Sequence, residues 1–131
     1  MINEETRQAI VAHRLENAHK TLAEIPVLIR HELWNTAVNR LYYACYYSVT
    51  ALLTSYGIET QTHAGVRRML AMHFTKTEKL PVRLNKFYSD LFENRQASDY
   101  ADFVFFDREI VEELYLQSGV FIEAIENLVK K

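Results

Sequence analysis

Apolar residues return along this chain at alternating steps of three and four in several separate stretches, the spacing of one face of an α-helix. In the first stretch Val11, Leu15, Ala18, Leu22 and Ile25 form a stripe behind Asn3-Glu4-Glu5. A side-chain acceptor and two carboxylates there suit the unpaired amides of a helix start. Pro26 removes an amide and crowds the preceding turn, yet Val27-Leu28-Ile29 keeps the apolar character, so a kinked helix is predicted to reach about Arg30. Residues 31 to 33 read as a turn. A second helix is predicted from Trp34 to about Tyr56, with Gly57 placed to end it in the left-handed conformation. Its inner stripe is Ala37, Leu41, Ala44, Ser48 and Leu52. The small residues on that stripe let another helix approach closely, which makes this the central helix.

Thr62 can cap a short third helix with Val66, Met69, Leu70 and His73 on one face, closed by the polar break from Thr75 to Lys79. Pro81 suits the first position of a fourth helix, along which Leu84, Tyr88, Leu91 and Arg95 recur. A guanidinium therefore emerges at the end of that helix on its core-facing side. The stretch from Gln96 to Phe103 has no sustained period and reads as a connection that can include helical turns. Asp107 can cap a last helix striped by Val111, Leu114, Ser118, Phe121, Ile125 and Leu128. Four long helices and one short one, joined by brief connections, make an all-α, up-and-down four-helix bundle with an additional short helix, with residues 1 to 131 as one domain.

Composition sharpens that picture. A chain of 131 residues that is 49 % hydrophobic can bury one substantial core, and three Gly and two Pro are too few for a protein of many short strands. The one cysteine, Cys45, excludes an internal disulfide and a four-cysteine zinc site. No run approaches the roughly 18 consecutive apolar residues of a membrane span, and the chain starts without a basic and apolar leader, so the expectation is a soluble, cytoplasmic protein. Net charge is −2, but residues 63 to 95 carry seven basic and three acidic side chains, and residues 96 to 131 carry three and eight. Only the middle could attract phosphate. There Arg67, Arg68, Lys76, Lys79, Arg83 and Lys86 form either a steering rim beside Arg95 or an ordinary solvated surface. No Gly-rich phosphate loop, zinc pattern or Ser-His-Asp set stands out, and neither metal nor cofactor is expected.

Three passages carry a family resemblance. Ala37-Val38-Asn39-Arg40-Leu41-Tyr42-Tyr43-Ala44-Cys45-Tyr46 resembles the central-helix signature of small prokaryotic HEPN proteins. His63-Ala64-Gly65-Val66 resembles the opening of their third helix, and Asn94-Arg95-Gln96-Ala97-Ser98-Asp99-Tyr100 resembles their Arg-x-x-x-Asp-Tyr signature. The resemblance implies a four- to five-helix bundle, a homodimer, and genetic pairing with a small nucleotidyltransferase in a toxin–antitoxin-like system. It further implies binding of a nucleotide or an RNA phosphate at a cleft lined by Arg95, Asp99, Tyr100, Arg40, Asn39 and Tyr43. Many members are metal-independent endoribonucleases; others are non-catalytic.

Ribonuclease members carry an Arg, four to six residues, then a His. Here Arg95 is followed by four residues and then Tyr100. A phenol with an ordinary pKa near ~10 is a poor base at neutral pH. His63 is the candidate substitute, which leaves Arg95, His63 and Tyr100 as the catalytic set the resemblance implies, with Tyr100 also a candidate acceptor for adenylylation by the partner. An endoribonuclease with an altered motif and a non-catalytic dimerisation module remain open beside the phosphate-binding reading. Arg40, in the middle of the central helix, needs an anionic partner, either Asp99, another carboxylate or a bound phosphate.

Overall fold

The computed structural model describes residues 2–98 and 105–131. Five α-helices follow one another: α1 Glu4–Arg30, α2 Trp34–Ser55, α3 His63–Leu70, α4 Val82–Ser98 and α5 Arg108–Leu128, with no strand among the described residues. The fold is the all-helical bundle that the apolar stripes predict. Local chemistry sets the helix ends. The Thr6 amide donates to Asn3 Oδ1 at 2.7 Å and the Ile110 amide donates to Asp107 Oδ1 at 2.9 Å, each satisfying an otherwise unpaired first-turn donor. Gly57 takes φ +73° just past α2, where a side chain would be strained. α1 runs through Pro26 to Arg30.

α2 is the central helix and packs against α1, α3, α4 and α5. Its stripe of Ala37, Leu41, Ala44, Ser48 and Leu52 is fully buried, and so is Ala18 of α1. Small side chains bring the helix axes close and leave room for larger neighbours. Those neighbours are Tyr42, Tyr88 and Phe121, stacked in series across α2, α4 and α5: the Tyr42 and Tyr88 centroids lie 5.8 Å apart, and those of Tyr88 and Phe121 lie 5.3 Å apart. His19 Nε2 and Glu126 Oε1, 2.7 Å apart, tie α1 to α5 at the surface. No helix among the described residues is long and apolar enough to cross a membrane.

Three details depart from the sequence reading. After α3 the chain widens into a π-helical turn, Ala71–Thr75. A wider turn holds more residues per revolution, so a step of four from Leu70 lands Phe74 in the core and a step of three leaves His73 exposed. His73 is therefore not on the apolar stripe. α4 continues past Arg95 to Ser98, taking in the start of the stretch expected to be a connection. Pro81 sits just before the first helical residue, with its carbonyl accepting from the Leu84 and Asn85 amides at 3.0 and 3.3 Å.

The segment before α3 is held very close to that helix. The Gly65 amide donates to the Thr62 hydroxyl at 2.9 Å, and a Cβ at Gly65 would stand 2.1 Å from Thr60 Oγ1 and 2.9 Å from Thr62 Oγ1. Gly65→Ala must rotate Thr60 away and disturb the capping hydroxyl. It is expected to lower stability by about 1–2 kcal/mol, read as a shifted urea midpoint. An unchanged midpoint would show that the segment can open without penalty.

Candidate functional site

Positions 42, 43 and 46 occupy one contiguous arc of α2, and that arc faces the start of α3. His63, the first residue after the Thr62 cap, is thereby surrounded by three tyrosine rings. Centroid separations are 5.6 Å to Tyr42, 5.7 Å to Tyr43 and 4.5 Å to Tyr46. One polar bond fixes the imidazole: Tyr42 Oη and His63 Nδ1 are 2.8 Å apart. Tyr42 is fully buried, and burial pushes its phenol up to about 12. A phenol that keeps its proton needs an acceptor, and Nδ1 supplies one. In the tautomer this bond selects, His63 Nε2 carries the ring hydrogen and is a donor.

Arg95 reaches the same phenol from α4. Its guanidinium carbon lies 5.1 Å from the Tyr42 ring centroid and 5.6 Å from that of Phe92, while the Arg67 guanidinium lies 4.4 Å from the Phe92 centroid. Two cations thus rest on aromatic faces beside the imidazole, attracted by the ring quadrupoles. Burial, and after it the positive charge of Arg95, lowers the His63 pKa below its ordinary value. The histidine is accordingly neutral at pH 7.

Removing the guanidinium tests that arrangement. In Arg95→Ala the His63 pKa is expected to rise toward its ordinary value, read from the ring-proton shifts in an NMR titration. An unmoved pKa would place the two groups apart. A lowered folded-state pKa also means that the unfolded chain binds the proton more readily. The contribution of His63 to stability is therefore complete above about pH 6.5 and declines as the pH falls through the lowered value.

The sequence model of the HEPN domain matches residues 11–128, a span that holds most of α1 and all of α2, α3, α4 and α5. The chain belongs to the HEPN family. A UPF0332 protein of Thermotoga maritima is 35 % identical over 124 residues, covering 95 % of this chain and 94 % of that protein. Two Methanocaldococcus jannaschii proteins also match. One, named "Putative toxin MJ0142", is 33 % identical over 108 residues, 82 % of this chain and 74 % of its own length. The other, named "Putative toxin MJ0605", is 25 % identical over 131 residues, 100 % of this chain and 96 % of its own.

In this HEPN chain His63, Arg95 and Tyr43 come together around Tyr42. Arg40 turns toward α1, where it meets Glu24 Oε1 at 3.3 Å and Thr21 Oγ1 at 3.3 Å. Glu24 is thus the carboxylate that its mid-helix cation required. Asn39 is half-buried on α2, one turn before Tyr43. Asp99 and Tyr100 lie outside the described residues. The basic residues of the middle segment disperse: Arg67 joins Phe92 near Arg95, Lys79 lies over Tyr56 and Phe74, and Lys86 pairs with Asp90 at 2.8 Å. Among the described residues no cluster of His, Cys, Asp and Glu could hold a metal ion. Two participants escaped the sequence reading, the Tyr42 hydroxyl as the partner of His63 and the Phe92 ring as the platform for Arg67 and Arg95. The 42, 43, 46 spacing was a visible signal for the first; nothing marked the second.

Proposed function

We propose that this HEPN protein binds a phosphate of RNA or of a nucleotide in the cleft between the start of α3 and the end of α4, as the toxin-like member of a pair with a nucleotidyltransferase. The observation that carries the reading is the placement of His63 and Arg95 on one buried phenol. A neutral imidazole with hydrogen on Nε2 donates one bond to a phosphate oxygen, and a guanidinium has five N–H donors, enough to serve phosphate alongside other contacts. Arg67 on Phe92 adds positive field. Family membership and the toxin names of the two archaeal relatives support the toxin-like part of the proposal, while the nucleotidyltransferase pairing and a homodimer enter it through the family resemblance. Asp99 and Tyr100 enter it only through the sequence signature.

The endoribonuclease reading has one observation in its favour, a neutral histidine beside an arginine. Cleavage would need the opposite tautomer, with Nδ1–H donating to the Tyr42 oxygen and Nε2 bare to accept the ribose 2′-hydroxyl proton. A Tyr42 phenol that keeps its own proton works against that arrangement, so binding is the better-supported function.

Retention of end-labelled single-stranded RNA in chelator, followed by gel analysis of the bound strand, tests the proposal. The wild type is expected to hold RNA of unchanged length, and His63→Ala to weaken retention about tenfold. Equal retention by the two would remove the imidazole from the site. Shortened RNA with the wild type and intact RNA with Arg95→Ala would move the assignment to the endoribonuclease.

A further inference from the structure

A cavity lies beside the His63 site, across a single aromatic ring. It has a volume of about 460 Å³, within the range of small-molecule sites, and lies between the first half of α1, the second half of α2 and the segment leading into α3. Tyr46 lines it, and the same Tyr46 ring sits 4.5 Å from the His63 ring at an interplanar angle of 34°. One phenol therefore borders both the proposed phosphate cleft and this cavity.

The lining has the chemistry of a base site. Ile10, Leu53 and Ile58 give it apolar walls. Around them stand donors and acceptors of both kinds: Arg14, Thr50, Thr60, Gln61 and the carboxylate of Glu59. Arg14 Nη1 donates to Thr54 Oγ1 at 2.8 Å, which fixes its guanidinium at the cavity wall. One cation and one anion in the same lining make a poor phosphate site, because Glu59 repels what Arg14 attracts. A flat heteroaromatic ring with amine and carbonyl edges can donate to the carboxylate and accept from the guanidinium, and Tyr46 in the lining adds an aromatic contact.

We infer that the cavity bounded by Tyr46, Arg14, Thr50 and Gln61 takes a nucleobase of the strand whose phosphate lies at His63 and Arg95. The inference rests on the phosphate-binding reading, and it turns a generic anion cleft into a site that reads base and phosphate on two sides of one tyrosine. The absence of a side chain at Gly65 lets Thr60, a residue of the cavity wall, lie close against the start of α3.

The test is a set of amide NMR titrations of the whole protein with inorganic phosphate, with each of the four common ribonucleosides, and with a single-stranded tetranucleotide. At least one nucleoside is expected to move the amides of Thr50, Thr54, Thr60 and Gln61, phosphate those of Ala64 and Arg67, and the tetranucleotide both sets. Thr50→Phe, which fills the cavity, should abolish the nucleoside shifts, leave the phosphate shifts, and weaken tetranucleotide binding about five- to a hundredfold. Gln61→Ala, at an exposed position that cannot unfold the bundle, should weaken nucleoside binding in the same direction. If no nucleoside moves the cavity amides while phosphate still moves Ala64 and Arg67, the base site is overturned and the phosphate cleft stands. If neither phosphate nor the tetranucleotide moves Ala64 and Arg67, the phosphate reading fails and the inference falls with it.

Discussion

Replacing Arg95 with alanine is expected to weaken binding of single-stranded RNA by about ten- to a hundredfold, the loss of one or two charge-assisted hydrogen bonds. Stability should change far less. Arg95 is partly exposed, and its contacts include the Tyr42 and Phe92 rings, each worth about 0.5–1 kcal/mol at such a site. The separation of the two effects is the informative part, since a residue that merely filled space would lose binding and melting temperature together. Arg95→Lys should recover only part of the affinity, because an ammonium cannot present two parallel donors to a phosphate. Isothermal titration with a short oligonucleotide, beside a thermal melt, gives both numbers. Unchanged affinity in Arg95→Ala would leave the cleft without its principal cation.

The largest stability effect is expected at Tyr88. Its ring is fully buried and stacked between Tyr42 and Phe121, so Tyr88→Ala removes the middle of the aromatic series and should lower the unfolding free energy by about 3–5 kcal/mol. Tyr88→Phe should behave oppositely. The Tyr88 hydroxyl is buried, and it acts on the Tyr42 oxygen electrostatically, but it falls short of hydrogen-bond geometry and has no hydrogen-bond partner among the described residues. Burial, with the Tyr42 phenol adding to it, raises its pKa well above 10. Removing an unsatisfied oxygen while keeping the ring should leave stability unchanged or raise it. Urea denaturation of both variants decides the matter, and a Tyr88→Phe protein destabilised by more than about 1 kcal/mol would mean that the hydroxyl is satisfied after all.

These two residues show what the sequence could and could not reveal. Asn3, Gly57, Thr62 and Asp107 announced the helix ends correctly because capping is settled within a few residues of chain. The stripes of α2 and α5 announced their buried faces because burial follows the helical period. The π-helical turn left no such mark, and it moved His73 out to solvent. The candidate site was legible only as names. His63 and Arg95 came from motifs, but their meeting over Tyr42 depends on how α3 and α4 rotate against α2, which no local pattern encodes. Arg40 shows the same limit from the other side: the need for a carboxylate was readable, and its identity as Glu24, sixteen positions earlier on the facing helix, was not.

The most direct measurement is a double-mutant cycle on RNA affinity with Arg95→Ala, His63→Ala and the combined variant. If both side chains hold one phosphate above Tyr42, the double variant should lose at least about 0.5 kcal/mol less than the sum of the single losses. Strictly additive losses would mean that the imidazole and the guanidinium act at separate places, and the shared cleft would not exist.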